Sequence, residues 1–249
     1  IADFRGSKYV QSTIGDTYRE AREFLKQGRK VLFSGTPCQI AGLRKFLRKE
    51  YENLLTVDVV CHGVPSPLVW RKYLEETREK LRAERDSGKN SVSSSLMEMP
   101  VITGISFRDK THGWKKFGFR LRYAASKAAE NSVSVPANDS ERTLLQPFPE
   151  NVFMKGFLSN FYLRPSCYAC IARTGKSGSD ISIADFWGVQ NYYPEFDDDK
   201  GVGLVLVNSE KGRKAYEQTN SDSIESTYEQ GLNQNPCLEH SVARTKHVK

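Results

Sequence analysis

Four cysteines occupy positions whose spacing suits metal or redox chemistry. Cys167 and Cys170 form a C-x-x-C pair, and Cys38 and Cys61 each follow a short apolar run. A C-x-x-C spacing lets two thiolates point at one centre, and it serves zinc sites, iron–sulfur clusters and dithiol redox pairs alike. Together the four thiols match the number of ligands that a structural zinc ion or a 4Fe-4S cluster requires.

The four candidate ligands are spread over three loops. Small zinc modules more often place two C-x-x-C pairs close together, so the scattered arrangement favours a cluster in an enzyme core. An odd total of five cysteines in a long chain predicts reduced thiols rather than a disulfide framework. The fifth, Cys237, stands alone in NQNPCLEH, and we expect it to lie apart as a small apolar side chain.

Residues 31–66 predict the unit that positions Cys38 and Cys61. Apolar runs at 31–33 and 54–60 read as strands, and the segment between them has the apolar spacing of a helix. Such a strand–helix–strand sequence is a βαβ unit, whose strands lie parallel. Because parallel strands end at the same edge of a sheet, where open α/β folds bind ligands, we expect the two cysteines to share that edge.

Small and polar residues beside these cysteines extend the candidate site. Gly35 and Thr36 precede a helix start, whose free N–H groups suit an anion or a thiolate. His62, next to Cys61, reads either as a proton donor or polar group near a cofactor, or as part of a tight turn. Gly63 reads either as room left for a cofactor or as a turn glycine only.

A second strand end carries a carboxylate and an indole. The segment ISIADFWG at 181–188 predicts a strand that runs into a turn, with Asp185 and Trp187 at its end. These two side chains are suited to line the pocket of a planar cofactor, although Trp187 is equally suited to a core position.

The remaining pattern predicts an α/β fold with a central, mostly parallel sheet flanked by helices. Alternating residues at 101–107 and 117–124 predict an antiparallel hairpin, and an apolar strand at 201–208 precedes a helix at 209–219. Further helices are predicted at 15–28, 67–85 and 151–163. We predict one domain over 1–249, with a β-rich hairpin region inserted at 90–147.

Composition limits the class of protein and its partners. With 249 residues, 38% of them apolar and 27% charged, the chain reads as a soluble globular protein. No apolar run approaches the roughly 18–20 residues of a membrane span, so we predict a cytoplasmic protein. A net charge of +7 suits nucleic acid, an acidic protein such as a ferredoxin, or a phosphate-bearing cofactor. Because the chain also carries the set of four cysteines, we do not expect nucleic acid to be its partner.

Five motifs together carry a family resemblance. They are VLFSGTPCQIAGL, VDVVCHGVPSP, FRDK-x-x-GW, RPSCYAC and SDISIADFWG, and they occur in this order along nearly the whole chain. The combination resembles the C-terminal catalytic domain of the coenzyme F-420 hydrogenase/dehydrogenase beta-subunit family. Full-length relatives usually carry a cysteine-rich, ferredoxin-like segment before this domain, and we expect that segment to have been lost here by truncation.

The resemblance implies an iron–sulfur flavoprotein that binds FAD and a 4Fe-4S cluster. By motif, the cluster ligands would be Cys38, Cys61, Cys167 and Cys170. The walls of the flavin and substrate cavity would come from the GTPCQ and CHGVPS loops, the FRDK-x-x-GW loop and the DFWG turn. Their candidate residues are Gly35, Thr36, Gly63, Lys110, Gly113, Trp114, Asp185 and Trp187, with His62 as the candidate catalytic residue.

Two functions from different classes follow. The first is an oxidoreductase that passes electrons between a reduced two-electron carrier (deazaflavin-like or other), FAD, the cluster and a ferredoxin-type protein. The second is a non-enzymatic module with a four-cysteine zinc site, which binds nucleic acid or protein through its basic surface. Glycine-rich loops at the same strand ends as the cysteines favour the first, since a structural zinc ion does not need them.

Overall fold

A computed structural model of the chain describes residues 6–87, 99–124 and 141–245. The predicted inserted region at 90–147 therefore lies partly outside the described residues, at 90–98 and 125–140. The helices are α1 Thr17–Lys26, α2 Pro37–Leu47, α3 Pro67–Ser87, α4 Val152–Leu158, α5 Glu210–Glu217 and α6 Tyr228–Leu232. The strands are β1 Val31–Gly35, β2 Leu54–Val59, β3 Val101–Asp109, β4 Gly118–Ala124, β5 Glu141–Pro147, β6 Ile181–Asp185 and β7 Gly203–Val207.

Two compact units share the chain. One comprises Val64–Leu163 with stretches at both chain ends, and the other comprises Ser12–Gly63 and Arg164–Arg244. Three antiparallel strands in the order β3-β4-β5 form the sheet of the first unit. Its core is aromatic, with Phe119 and Leu121 fully buried. None of the described helices is long and apolar enough to cross a membrane.

The second unit contains the predicted βαβ unit within a four-stranded sheet of order β1-β2-β6-β7. β1, β2 and β6 are parallel, whereas β7 runs antiparallel to β6. The predicted α/β fold with a mostly parallel sheet flanked by helices is thus confirmed. Because β6 is parallel to β2, the turn that follows Asp185 lies at the same sheet edge as the loops that follow Gly35 and Val59.

One face of this sheet is covered by helices. Leu25 of α1 and Leu43 of α2 are buried against Leu54, with Phe33 packed beside them. On the opposite face, apolar side chains stay exposed on all four strands: Leu32, Val59, Ile183, Val205 and Val207. Parallel sheets are usually covered on both faces, which is the reason for their continuous apolar runs. The described chain covers this sheet mainly on one face.

A buried carboxylate joins three elements of the second unit. Asp180, just before β6, has 2% of its surface exposed. Its Oδ2 accepts hydrogen bonds from the backbone N–H (2.8 Å) and hydroxyl (2.7 Å) of Thr56 in β2. Its Oδ1 accepts one from the hydroxyl of Ser209 (2.7 Å), the residue that caps α5. The carboxylate thereby fixes the start of β6 against β2 and the start of α5.

Gly212 lets α5 pack directly on the chain beside Asp180. A methyl group added at Gly212 would overlap the backbone carbonyl of Asp180 and would lie 3.1 Å from Ile181. We expect Gly212→Ala to lower the free energy of unfolding by about 2 kcal/mol, because overpacking outweighs the better helix propensity of alanine. Gly203→Ala is the matched control, since nothing lies within 4 Å of that position. Urea denaturation checks both, and equal midpoints for the two variants would contradict the packing argument.

Candidate functional site

The loop from β1 into α2 is held by its own helix cap. The backbone N–H of Thr36 donates to Oε1 of Gln39 (2.9 Å), and the two residues form a capping box. A methyl group at Gly35 would lie 2.9 Å from the same Oε1 atom. Gly35 and Thr36 therefore have a structural role at the helix start, whatever else they bind.

Cys38 lies in the first turn of α2 and is exposed. Its Sγ lies 3.3 Å from the hydroxyl oxygen of Thr36. The N-terminal end of a helix stabilises a thiolate through its unpaired N–H groups and the helix dipole. Cys38 is therefore an accessible thiol at the N-terminal end of a helix.

Cys61 lies deeper, in the loop two residues after the end of β2. Burial raises the pKa of its thiol to about 12, and the positive charge of Arg173 opposes this rise. The other three cysteines of the predicted set, Cys38, Cys167 and Cys170, each add to the rise by charge repulsion. The four thiols therefore share one electrostatic neighbourhood around Cys61.

The C-x-x-C pair is carried by a short 3-10 helix at Pro165–Ala169. The N–H of Cys167 donates to the carbonyl of Arg164 (2.9 Å), and the N–H of Cys170 donates to the hydroxyl of Ser241 (2.9 Å). Both side chains are half-buried. Backbone hydrogen bonds at both cysteines thus order this loop.

The thiols are not preassembled as a metal-ligand group. Across residues 6–87, 99–124 and 141–245, no three side chains among His, Cys, Asp and Glu form a group that could hold a metal ion. The donor chemistry suits a thiolate-bound centre, since four thiols are the ligands that such a centre uses and the charge of Arg173 lowers the pKa of Cys61. Their convergence on one centre stays a prediction.

A small cavity lies beside Cys61. Its volume is about 40 Å³, room for one or two water molecules, and its lining includes Pro37, Asp58, Cys61, Arg173 and Cys237. Cys237 was expected to lie apart from the other cysteines, but it lines this same cavity. The reason is tertiary, because the short 3-10 helix Pro236–Leu238 is fixed here by a hydrogen bond from Arg173 to the Cys237 carbonyl.

His62 and Gly63 follow Cys61 in the same loop and are both half-buried. The His62 carbonyl accepts a hydrogen bond from Nη2 of Arg173 (3.3 Å). This contact orders the backbone of the loop and leaves the role of the imidazole as a prediction.

The turn after β6 divides its side chains between core and surface. Phe186 is buried, and its backbone N–H donates to the Val202 carbonyl. Asp185 and Trp187 on either side are half-buried. The core residue of this turn is therefore Phe186, which the sequence pattern did not single out.

The FRDK-x-x-GW loop belongs to the other unit. Gly113 has φ 94°, a left-handed conformation that glycine adopts readily, and its N–H closes a turn to the Lys110 carbonyl. Trp114 is buried, with 4% of its surface exposed, and the Arg108 guanidinium lies 5.3 Å from its ring. Lys110 is exposed. Gly113 and Trp114 thus have structural roles within their unit.

Sequence reasoning missed two residues of the cysteine-bearing unit. Arg173 follows the C-x-x-C pair by three residues, so a basic residue close to the candidate ligands was the available signal. Asp180 stands in a run of serines, GKSGSDIS, which reads as a polar loop and carries no sign of burial.

The loops that carry Cys38 and Cys61 thus lie at the C-terminal edge of parallel strands, where open α/β sheets bind ligands. A family model described as the C terminus of the beta subunit of coenzyme F420 hydrogenase/dehydrogenase matches residues 28–229. The chain belongs to this family. A comparison with curated proteins found no match.

Proposed function

We propose that this domain is an iron–sulfur flavoprotein that passes electrons between a reduced two-electron carrier and a ferredoxin-type protein. Membership of the family supports an oxidoreductase of this kind. FAD exchanges electrons in pairs or singly, and a 4Fe-4S cluster exchanges them singly, which would connect the two kinds of partner. The proposed location is the cytoplasm, where thiols stay reduced.

The two cysteine-bearing loops at one sheet edge, together with the C-x-x-C pair, support this proposal. Parallel strands bring the Cys38 and Cys61 loops to one sheet edge. Charge repulsion from Cys167 and Cys170 raises the pKa of the Cys61 thiol. In the proposed complex these cysteines are the four cluster ligands. The helix N-terminus at Cys38 and the cation at Arg173 offset the negative charge of the thiolates.

The flavin is proposed to bind at the same sheet edge. Gly35, Thr36 and Gly63 would offer backbone groups there, and Asp185 and Trp187 would add a carboxylate and an indole wall. We assign His62 as the candidate proton donor on the basis of its position beside Cys61. Lys110, Gly113 and Trp114 stay candidates from the family resemblance.

The 40 Å³ cavity beside Cys61 is too small for FAD, because pockets for ligands of that size have volumes of roughly 300–1,000 Å³. A flavin site at the sheet edge therefore requires space other than this cavity. The cavity instead suits ordered water among polar groups, which include Asp58 and Ser182.

Anaerobic purification tests the proposed function. We expect a broad visible absorbance, about four irons per chain and FAD binding on titration, because the four thiols then retain a 4Fe-4S cluster. Iron, sulfide, zinc and flavin analysis of the same sample provides the measurement. One zinc per chain without iron or flavin would replace this proposal with the zinc-module alternative. Candidate two-electron carriers, including a reduced deazaflavin, are then compared as donors to the loaded protein.

A further inference from the structure

Arg173 is a buried cation beside the candidate cluster ligands. Only 7% of its surface is exposed. Its Nη1 donates to the Cys237 carbonyl and its Nη2 to the His62 carbonyl (3.3 Å). Its Nε is buried and has no hydrogen-bond partner within the described chain. A guanidinium cannot lose its proton, so burial in this form requires compensation by negative charge.

The described residues do not place a carboxylate in an ion pair with Arg173. Asp58 is buried and lines the same cavity, but no ion pair joins it to the guanidinium among the described residues. Cys61 lines that cavity as well, and Arg173 binds the carbonyl of the residue that follows Cys61. The two hydrogen bonds to carbonyls hold the guanidinium but do not balance its charge.

We infer that Arg173 is the resident counter-charge of an anionic thiolate-bound centre at Cys61, and that it raises the reduction potential of that centre. This inference rests on the proposed function. One-electron reduction adds one negative charge to such a centre while no ligand bond forms or breaks. A fixed, desolvated cation nearby favours the form with the additional negative charge.

Four proteins test the inference: the wild type, Arg173→Gln, Arg173→Lys and Asp58→Asn, each purified anaerobically as the full chain. The measurement is the midpoint potential of the iron-loaded protein in a dithionite titration followed by absorbance and electron paramagnetic resonance. We expect Arg173→Gln to shift the potential to a more negative value, because the cation is lost. Arg173→Lys should shift it much less, and Asp58→Asn should shift it in the positive direction.

The outcomes distinguish an effect of the Arg173 charge from an effect of its hydrogen bonds. Equal potentials in the wild type and Arg173→Gln would overturn the inference and leave the proposed function intact. Equal shifts in Arg173→Gln and Arg173→Lys would assign the effect to the hydrogen bonds on His62 and Cys237, and would also overturn it. A wild type that binds no iron would overturn both the inference and the proposed function.

A second measurement covers the case in which Arg173→Gln does not retain iron. The iron-free proteins are titrated with Co²⁺, whose thiolate complexes absorb in the visible range. We expect the affinity of Arg173→Gln to fall at least about tenfold below that of the wild type, and Arg173→Lys to keep most of it. Equal affinities in all three proteins would show that Arg173 does not act on the thiolates.

Discussion

Replacement of any one of the four candidate ligand cysteines by serine is expected to reduce the iron content at least about tenfold and to remove the broad visible absorbance. Loss of an outer partner of a metal ligand already lowers metal affinity by roughly 10–100-fold, and loss of the ligand itself has a larger effect. The four variants are Cys38→Ser, Cys61→Ser, Cys167→Ser and Cys170→Ser. Iron analysis and absorbance of anaerobically purified protein provide the measurement, with circular dichroism to verify the fold.

Cys237→Ser is a demanding control for this series. Cys237 lines the same cavity as Cys61, and Arg173 binds its backbone carbonyl, which serine retains. The control therefore tests whether iron is lost because a cysteine near the site is replaced or because a ligand is replaced. We expect iron content close to that of the wild type in Cys237→Ser. Equal iron content in Cys38→Ser and the wild type would remove Cys38 from the ligand set, and iron loss in Cys237→Ser would add a fifth candidate.

Asp180→Ala is expected to lower the free energy of unfolding by about 3 kcal/mol or more at neutral pH. The substitution leaves the N–H and hydroxyl of Thr56 and the hydroxyl of Ser209 without their acceptor in a buried position. Urea denaturation provides the measurement. Asp16→Ala is the control, since Asp16 is exposed and forms an ion pair with exposed Arg19, so its loss should cost less than about 1 kcal/mol.

The same carboxylate makes stability depend on pH. Burial by itself raises the pKa of Asp180, but the hydrogen bonds from Ser209 and Thr56 outweigh it, and the net pKa is lowered. A carboxyl whose pKa is lower in the folded state stabilises the fold above its unfolded pKa of about 3.9. This contribution is lost as the pH falls through the lower, folded value. In Asp180→Asn the free energy of unfolding should therefore fall less steeply below about pH 4 than in the wild type. An unchanged dependence of stability on pH would contradict this assignment.

Most of the order of the elements was predictable because local patterns determine it, whereas β5 and α6 were not among the predicted elements. Apolar runs bounded by glycine and proline marked β1 and β2, and Pro67 marked the start of α3. The antiparallel pairing of β7 with β6 was not predictable in this way, since an apolar strand reads the same in either direction. Neither was the division into two units, because it depends on which distant segments pack together.

At the candidate site, residue types and their spacing identified the four cysteines, and the chain alone predicted that two of them share a sheet edge. Only the tertiary structure placed Arg173 and Cys237 beside Cys61, because residues 61, 173 and 237 are brought together by folding and not by any local period. The burial of Asp180 was likewise decided by packing, since its hydrogen-bond partners lie 124 and 29 residues away along the chain. The residue types that could bind a metal or cofactor are thus evident from the sequence. The balance of buried charges and the burial of polar groups depend on long-range contacts.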